Sequence, residues 1–334
     1  MTHRRLALRS ALLVGLFSSA TAAHAVALDK TECIAAAKPG GGFDLTCKLV
    51  QAGLLEGRHI AAPMRLSYLP GGIGAVAYST MVAQRPAEAE TLVAFSSGSL
   101  LNLAQGKFGR HSENDVRWVA GVAADYGAIV VSAASPYKTL KDLLAALKAD
   151  PARLVFGAGG TVGSQDWIKA ALTARGAGIH HRNMRFVAFE GGGEALTALQ
   201  GGHVQVCTGD ASEIVAKLAA GAPLRVLAVM SDQRLPGRLA DVPTAREAGL
   251  EVTWPIVRGV YVGPKVSDAD YATWVDVFRR MLPSAAYRQL RTERGLFDFA
   301  MTGAELDAYV KQNVRSYRKV AEEFGLNVTP MATR

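Results

Sequence analysis

The sequence predicts an α/β fold made of two parallel-rich units that face each other across a cleft. Three observations carry that prediction. Short apolar runs alternate with helix-periodic segments along most of the 334 residues, which implies parallel strands joined by helical crossovers. Glycine-rich turns recur where a strand gives way to a helix, at 40–42, 70–74, 157–164 and 190–193. The pattern restarts at Ser135, so these turns fall into two blocks. In parallel sheets such turns lie beyond the carboxyl ends of strands, where ligands bind, and two facing units would bring both sets together.

Residues 33–37 form an apolar run suited to a buried strand, and KPGGGFD follows at 38–44. Three consecutive glycines cannot hold an extended chain, and they let the backbone approach a ligand closely. Asp44 reads as a helix N-cap, with Leu45 and Leu49 at helical spacing after it. The unpaired N–H groups of such a start attract anions. Neither GxxxxGK[ST] nor GxGxxG is present there. A strand at 64–69 and a small-residue helix at 75–82 come next. A third strand, 91–96, enters Ser97, Gly98 and Ser99, whose hydroxyls either meet a ligand or satisfy their own turn. Two further strands, 116–122 and 128–133, are separated by Asp125, Tyr126 and Gly127.

The second block opens with TLKD at 139–142, a capping-box start to a helix that Asp150 and Pro151 end. A strand at 154–156 leads into GAGGTVGS at 157–164 and a helix at 165–175. Another strand, 184–189, leads into EGGG at 190–193 and a helix closed by Gly201 and Gly202. A strand at 204–208, a helix at 211–220 and a strand at 224–231 complete the block. Residues 254–263 read as a strand returning to the first unit, before helices at 269–281, 285–294 and 304–324. The expected organisation is a cleaved leader over 1–25 and domain 1 over 26–131. Domain 2 is 132–257, and 258–334 returns to domain 1 with the C-terminal helices.

The leader is read from Arg4, Arg5 and Arg9, an apolar centre at 11–17 and Ala-His-Ala at 23–25, with export to the periplasm expected. Losing it removes three arginines and no acid, so the net charge falls from +8 to +5. That dispersed excess suits a small anion and excludes a nucleic-acid footprint, which needs a concentrated basic face. A hydrophobic content of 49% excludes a disordered chain. Of the cysteines, Cys33 sits some 20 Å down an extended strand from the glycine turn, whereas Cys47 is only about 5 Å back along the helix. A bridge needs Cα atoms within about 7 Å, so this geometry argues against pairing them.

No catalytic set emerges. His59, His111, His180, His181 and His203 form no HExxH, there is no GxSxG, and no cysteine has a neighbouring histidine. No cofactor and no metal are expected.

Four stretches together resemble the Bug-type receptors of tripartite tricarboxylate transporters. They are KPGGGFD at 38–44, the 157–164 loop, GGGEALTALQGGHV at 191–204 and RVLAVMSDQRLPGRLADVPTAREAG at 225–249. ECIAAAKPGGGFDLTC at 32–47 is similar to the tricarboxylate-binding branch. The resemblance implies a two-domain periplasmic binding protein, a type II-like Venus flytrap with two crossover strands. It implies a citrate-like tricarboxylate or a dicarboxylate held between the domains and delivered to a permease with large and small subunits. By position, the ligand loops would comprise Gly41, Gly42, Phe43 and Asp44 from one domain. Thr161, Gly163, Ser164, Gln165 and Asp166 would come from the other, with main-chain amides gripping the carboxylates. Ser97, Asp210 and Arg258 join this set. Arg258 either pairs bidentately with a ligand or makes a surface salt bridge, and Asp210 either accepts a ligand hydroxyl or caps a helix. Lys38 either adds charge to the first loop or is solvated. The expected partners are a small carboxylate and the permease, with no nucleic acid, and the receptor itself a monomer. Two other readings stand beside this one: an enzyme acting on a small anionic substrate, and a ligand-sensing subunit for a membrane kinase.

Overall fold

The computed structural model describes residues 28 and 30–328; the expected leader lies outside them. The first lobe opens with β1 (Glu32–Ala35), α1 (Gly42–Glu56), β2 (Arg65–Tyr68), α2 (Ala75–Ala83), β3 (Thr91–Ser96) and α3 (Ser97–Ala104). β4 (Arg117–Ser132) then crosses to the second lobe. There α4 (Leu140–Ala149), β5 (Val155–Gly159), α5 (Gln165–Gly176), β6 (Arg185–Phe189) and α6 (Gly192–Gln200) follow. β7 (Val206–Cys207), α7 (Ala211–Ala219) and β8 (Leu224–Met230) finish that lobe. β9 (Pro255–Val262) returns, and α8 (Asp268–Met281), α9 (Ala285–Glu293), β10 (Met301–Thr302) and α10 (Gly303–Glu323) complete the described elements.

Strands run β2-β1-β3-β9-β4-β7-β5-β6, with β8 and β10 also paired to β4. Parallel pairs build each lobe: β1 with β2 and β3, and β5 with β6 and β7. The antiparallel pairs all involve β4 or β9, the two crossing strands, which pair from Arg117 opposite Val262 to Tyr126 opposite Pro255. The largest apolar core draws on 33–123 and 257–314, around Phe95, Trp118, Trp274 and Phe278. Two smaller cores lie mostly in 128–256, one around Phe156 and Trp167, the other around Leu196 and Ile214. Among the described residues, no helix is long and apolar enough to cross a membrane.

Three expectations need correction. Residues 117–132 are one strand, not two. Gly127 is there because a Cβ would lie 2.7 Å from Lys169 and 2.9 Å from Met230, and Asp125 is buried against Arg258. Ser97, Gly98 and Ser99 are the first turn of α3, with Ser96 as its cap. Cys33 and Cys47 are disulfide-bonded, with Cα atoms 5.7 Å apart. The strand ends at Ala35 and the chain turns at once, while the helix starts at Gly42. The connection therefore loops outward and α1 folds back over β1, which places Cys47 beside Cys33. Cys207 is a buried free thiol.

Candidate functional site

Five helices start at one place between the lobes. Each follows a strand, so their N-termini lie beyond strand carboxyl ends: α1, α3, α5, α6 and α7. Gly41, Gly42, Ser96, Gln165, Asp166, Gly191, Gly192 and Asp210 come from those starts. With Phe43, Ile73, Glu213 and Arg258 they line a cavity of about 40 Å³. The starts are not equivalent. Ser96 caps α3, Ser164 caps α5, and at α7 the Ser212 N–H donates to Asp125. α1 and α6 instead carry glycine at the cap, Gly41 and Gly191, and no capping side chain. Their first-turn N–H groups, which no helix pairs internally, are therefore not satisfied by a capping side chain either. These two bare starts belong to opposite lobes and touch. A Cβ at Gly193 would lie 2.6 Å from the Gly40 carbonyl oxygen.

Beneath them lies a buried ionic cluster. Arg258, only 1% exposed, donates from Nε and Nη2 to Asp125 Oδ2 at 3.0 and 2.6 Å, and from Nη2 to Asp210 Oδ2 at 2.8 Å. Its Nη1 lies against Gly42, where a Cβ would be 2.0 Å away. Lys169 is fully buried and reaches Asp166 at 2.9 Å, Asp210 at 2.7 Å and the Gly209 carbonyl oxygen at 2.9 Å. Gln165 Nε2 donates to both Asp210 oxygens at 3.2 Å. Glu213 completes the cluster; among the described residues its Oε2 has no hydrogen-bond partner.

Burial raises Asp125 and Asp166 above the usual carboxylate range, against the pull of Arg258 and Lys169. Asp210 is as deeply buried, but it touches both cations, and they hold it below that range. Glu213 touches neither. Burial, and then the charge on Asp210, push it up to about 8. Four acids against two cations thus leave the floor with an excess of carboxyl groups.

Above the floor the cleft widens into a cavity of about 520 Å³ lined by Lys38, Ile73, Asn102, Lys107, Thr161, Glu190 and Glu194 among others. Three contacts bridge the lobes at its rim. Lys38 pairs with Glu194 at 3.0 Å, Gln105 Nε2 donates to the Gly163 carbonyl oxygen at 2.7 Å, and Lys107 donates to the Val162 carbonyl oxygen.

Of the residues singled out in the sequence, Gly41, Gly42, Phe43, Gln165, Asp166, Asp210 and Arg258 line the smaller cavity, and Thr161 lines the larger. The rest lie behind or beside it. Asp44 is not the N-cap but the third residue of α1; it accepts from Gly40 N and Lys48 at 2.8 Å and Tyr68 at 2.9 Å, bracing the loop. Ser97 accepts from the Val257 N–H, and Ser164 is used as a cap. Gly163, at φ +79°, sits under Gln105. Arg258 makes no surface salt bridge, and Asp210 stands at the N-cap of α7 without capping it. Glu213 was missed, and Gly191 and Gly192 were read only as part of a glycine turn at a strand end, not named as ligand residues. The run of three glycines at 191–193 repeats that at 40–42 and was the available signal; Glu213 had none. Among the described residues, no group of three histidines, cysteines or acids is arranged to hold a metal.

Residues 51–326 match the profile of the tripartite tricarboxylate transporter family receptor. A UPF0065 protein from the gbd 5' region of Cupriavidus necator is 26% identical over 220 residues. A second, from the tcbD-tcbE intergenic region of Pseudomonas sp. strain P51, is 28% identical over 228. These matches span 64% and 65% of this chain but only 63% of each relative. The fold is similar to that of MatC from Rhodopseudomonas palustris with bound malate, at TM-score 0.74 and 21% identity, covering 87% of this chain and 98% of that one. It is also similar to an R. palustris protein with adipate, at TM-score 0.79 and 20% identity, covering 90% and 98%. With a periplasmic-binding-protein fold and a profile match over most of its length, the chain belongs to the tripartite tricarboxylate transporter receptor family.

Proposed function

We propose that this chain is an extracytoplasmic solute receptor that closes on a small dicarboxylate and presents it to a membrane permease. The observation that carries this reading is the pair of glycine-capped helix starts, α1 and α6, facing each other from opposite lobes. One carboxylate fits between them, where two sets of unpaired N–H groups converge. The larger cavity, with Lys38 and Lys107 on its wall, takes the far end of the ligand. Malate and adipate, seen with two structural relatives, fit that description. A citrate-like tricarboxylate is the second reading. It is less favoured because Arg258, read from the sequence as a bidentate partner for a ligand, is already bound to Asp125 and Asp210, and Lys38 is paired with Glu194. The lobes would hinge about β4 and β9, dividing the chain as 26–131 with 258–334 against 132–257.

Thermal-shift titrations with malate, adipate and citrate test this, since a ligand of the native state raises its apparent stability. Stabilisation by a dicarboxylate is expected. Stronger stabilisation by citrate would favour the tricarboxylate, and none by any of the three would reject a carboxylate receptor.

A further inference from the structure

Glu213 is the third residue of α7 and is 6% exposed. Both of its oxygens face the bare helix starts. A Cβ at Gly192 would lie 2.1 Å from Oε2, and one at Gly41 would lie 4.0 Å from Oε1. Titratable groups approach from the elements packed around it: Asp125 from β4, Asp166 and Lys169 from α5, Cys207 from β7, Asp210 from the head of α7, and Arg258 from β9. α1 and α6 present backbone there, while Lys38 and Glu194 beside them are paired with each other. Both buried cations are already bound to aspartates. An ionised Glu213 would therefore be a buried carboxylate without a counter-ion, which is strongly disfavoured. The field of the two helix starts also favours an anion over an ammonium group in the space above it. A carboxylate in that space and an ionised Glu213 would repel each other; a protonated Glu213 would instead donate a charge-assisted hydrogen bond.

Resting on the receptor reading above, we propose that Glu213 is a proton-bearing donor to the ligand carboxylate seated between α1 and α6, so that binding is linked to one proton. Burial holds its ionisation at about 8, so the proton is present near neutrality and lost above that point. Affinity is then full below this value and falls about tenfold per pH unit above it. Malate's own carboxyls ionise well below that window. Lys107, which burial lowers to about 8, also loses charge there, so the part owed to Glu213 is the part that Glu213→Gln removes.

The test is calorimetry with malate on wild type and Glu213→Gln at about pH 6.5 and about pH 9.5, with infrared difference spectra of the two ligand-free proteins. Between those points wild-type affinity should drop about thirtyfold more than that of the variant. The variant, whose amide still donates, should be weaker by about tenfold or less at the lower pH. A protonated-carboxyl band should be present in wild type near neutrality and missing from Glu213→Gln. Equal pH dependence in the two proteins, a missing band, or loss of all binding by a folded Glu213→Gln would each overturn the proposal. Loss of all binding would mean that the ligand needs the negative charge of the side chain, which the amide cannot supply. If wild type bears the band yet binds no carboxylate, the receptor reading falls and the donor role falls with it; the band tells the two failures apart.

Discussion

Arg258 shows how a residue that looks made for a ligand can be committed to the protein. Its guanidinium neutralises Asp125 and Asp210 in a site shut off from water. Arg258→Met would leave Asp125 buried without a counter-ion and Asp210 with Lys169 alone, and about 3–5 kcal/mol of stability should be lost. Urea unfolding checks this; a loss below about 1 kcal/mol would show that the carboxylates find other partners. Gly42→Ala acts on the same group from outside, because its Cβ would lie 2.0 Å from Nη1. A cost of about 1–3 kcal/mol and weakened malate binding are expected. Glu213 makes stability itself depend on pH. Its folded value of about 8 lies above its ordinary 4.5, so the native state holds the extra proton between the two. Stability from this group is therefore highest at low pH and falls as pH rises through that window, by up to about 1.4 kcal/mol per unit. Glu213→Gln should flatten that slope and be the more stable protein near pH 8. A steeper slope in the variant would assign the proton elsewhere. None of these three roles was legible in the sequence, since Arg258 lies 133 positions from Asp125 and 48 from Asp210.

Elements were far more legible than residues. Strands showed as apolar runs because both faces of the inner parallel strands β1, β3 and β5 are covered, and helices showed through their spacing and caps, as at Thr139. Two of the failures come from reading glycine as the marker of a turn. Gly127 lies inside β4 because Lys169 and Met230 leave no room for a side chain. At β1 and α1 the same habit placed the turn too late and separated Cys33 from Cys47. Their bridge closes a segment of sequence separation 14 that contains the glycine run at 40–42. Removing it by Cys47→Ala should cost about 3 kcal/mol by loop entropy, seen as a lower urea midpoint. If reductant fails to lower wild-type stability as well, the thiols are not paired in solution.

At the scale of the whole molecule, both glycine runs make sense only together. The turns at 40–42 and 191–193 were visible separately, but that they meet follows from β4 and β9 carrying the chain across and back. In the closed arrangement no side chain separates them. Gly193, the second residue of α6, has Gly40 O, Gly40 C and Gly41 N as the nearest atoms to a Cβ, at 2.6, 2.8 and 3.0 Å. All three belong to the opposite lobe, and the Gly193 backbone is helical, so a larger residue there strains neither lobe alone. Gly193→Val should therefore act as a wedge. Its melting temperature without ligand should match wild type, while malate affinity drops about 100-fold because the closed state is depopulated. Small-angle scattering separates this from simple loss of contacts. Saturating malate should shrink the wild-type radius of gyration and leave that of the variant unchanged. An equal contraction in both proteins would mean that the two glycine loops do not meet when the receptor holds its ligand.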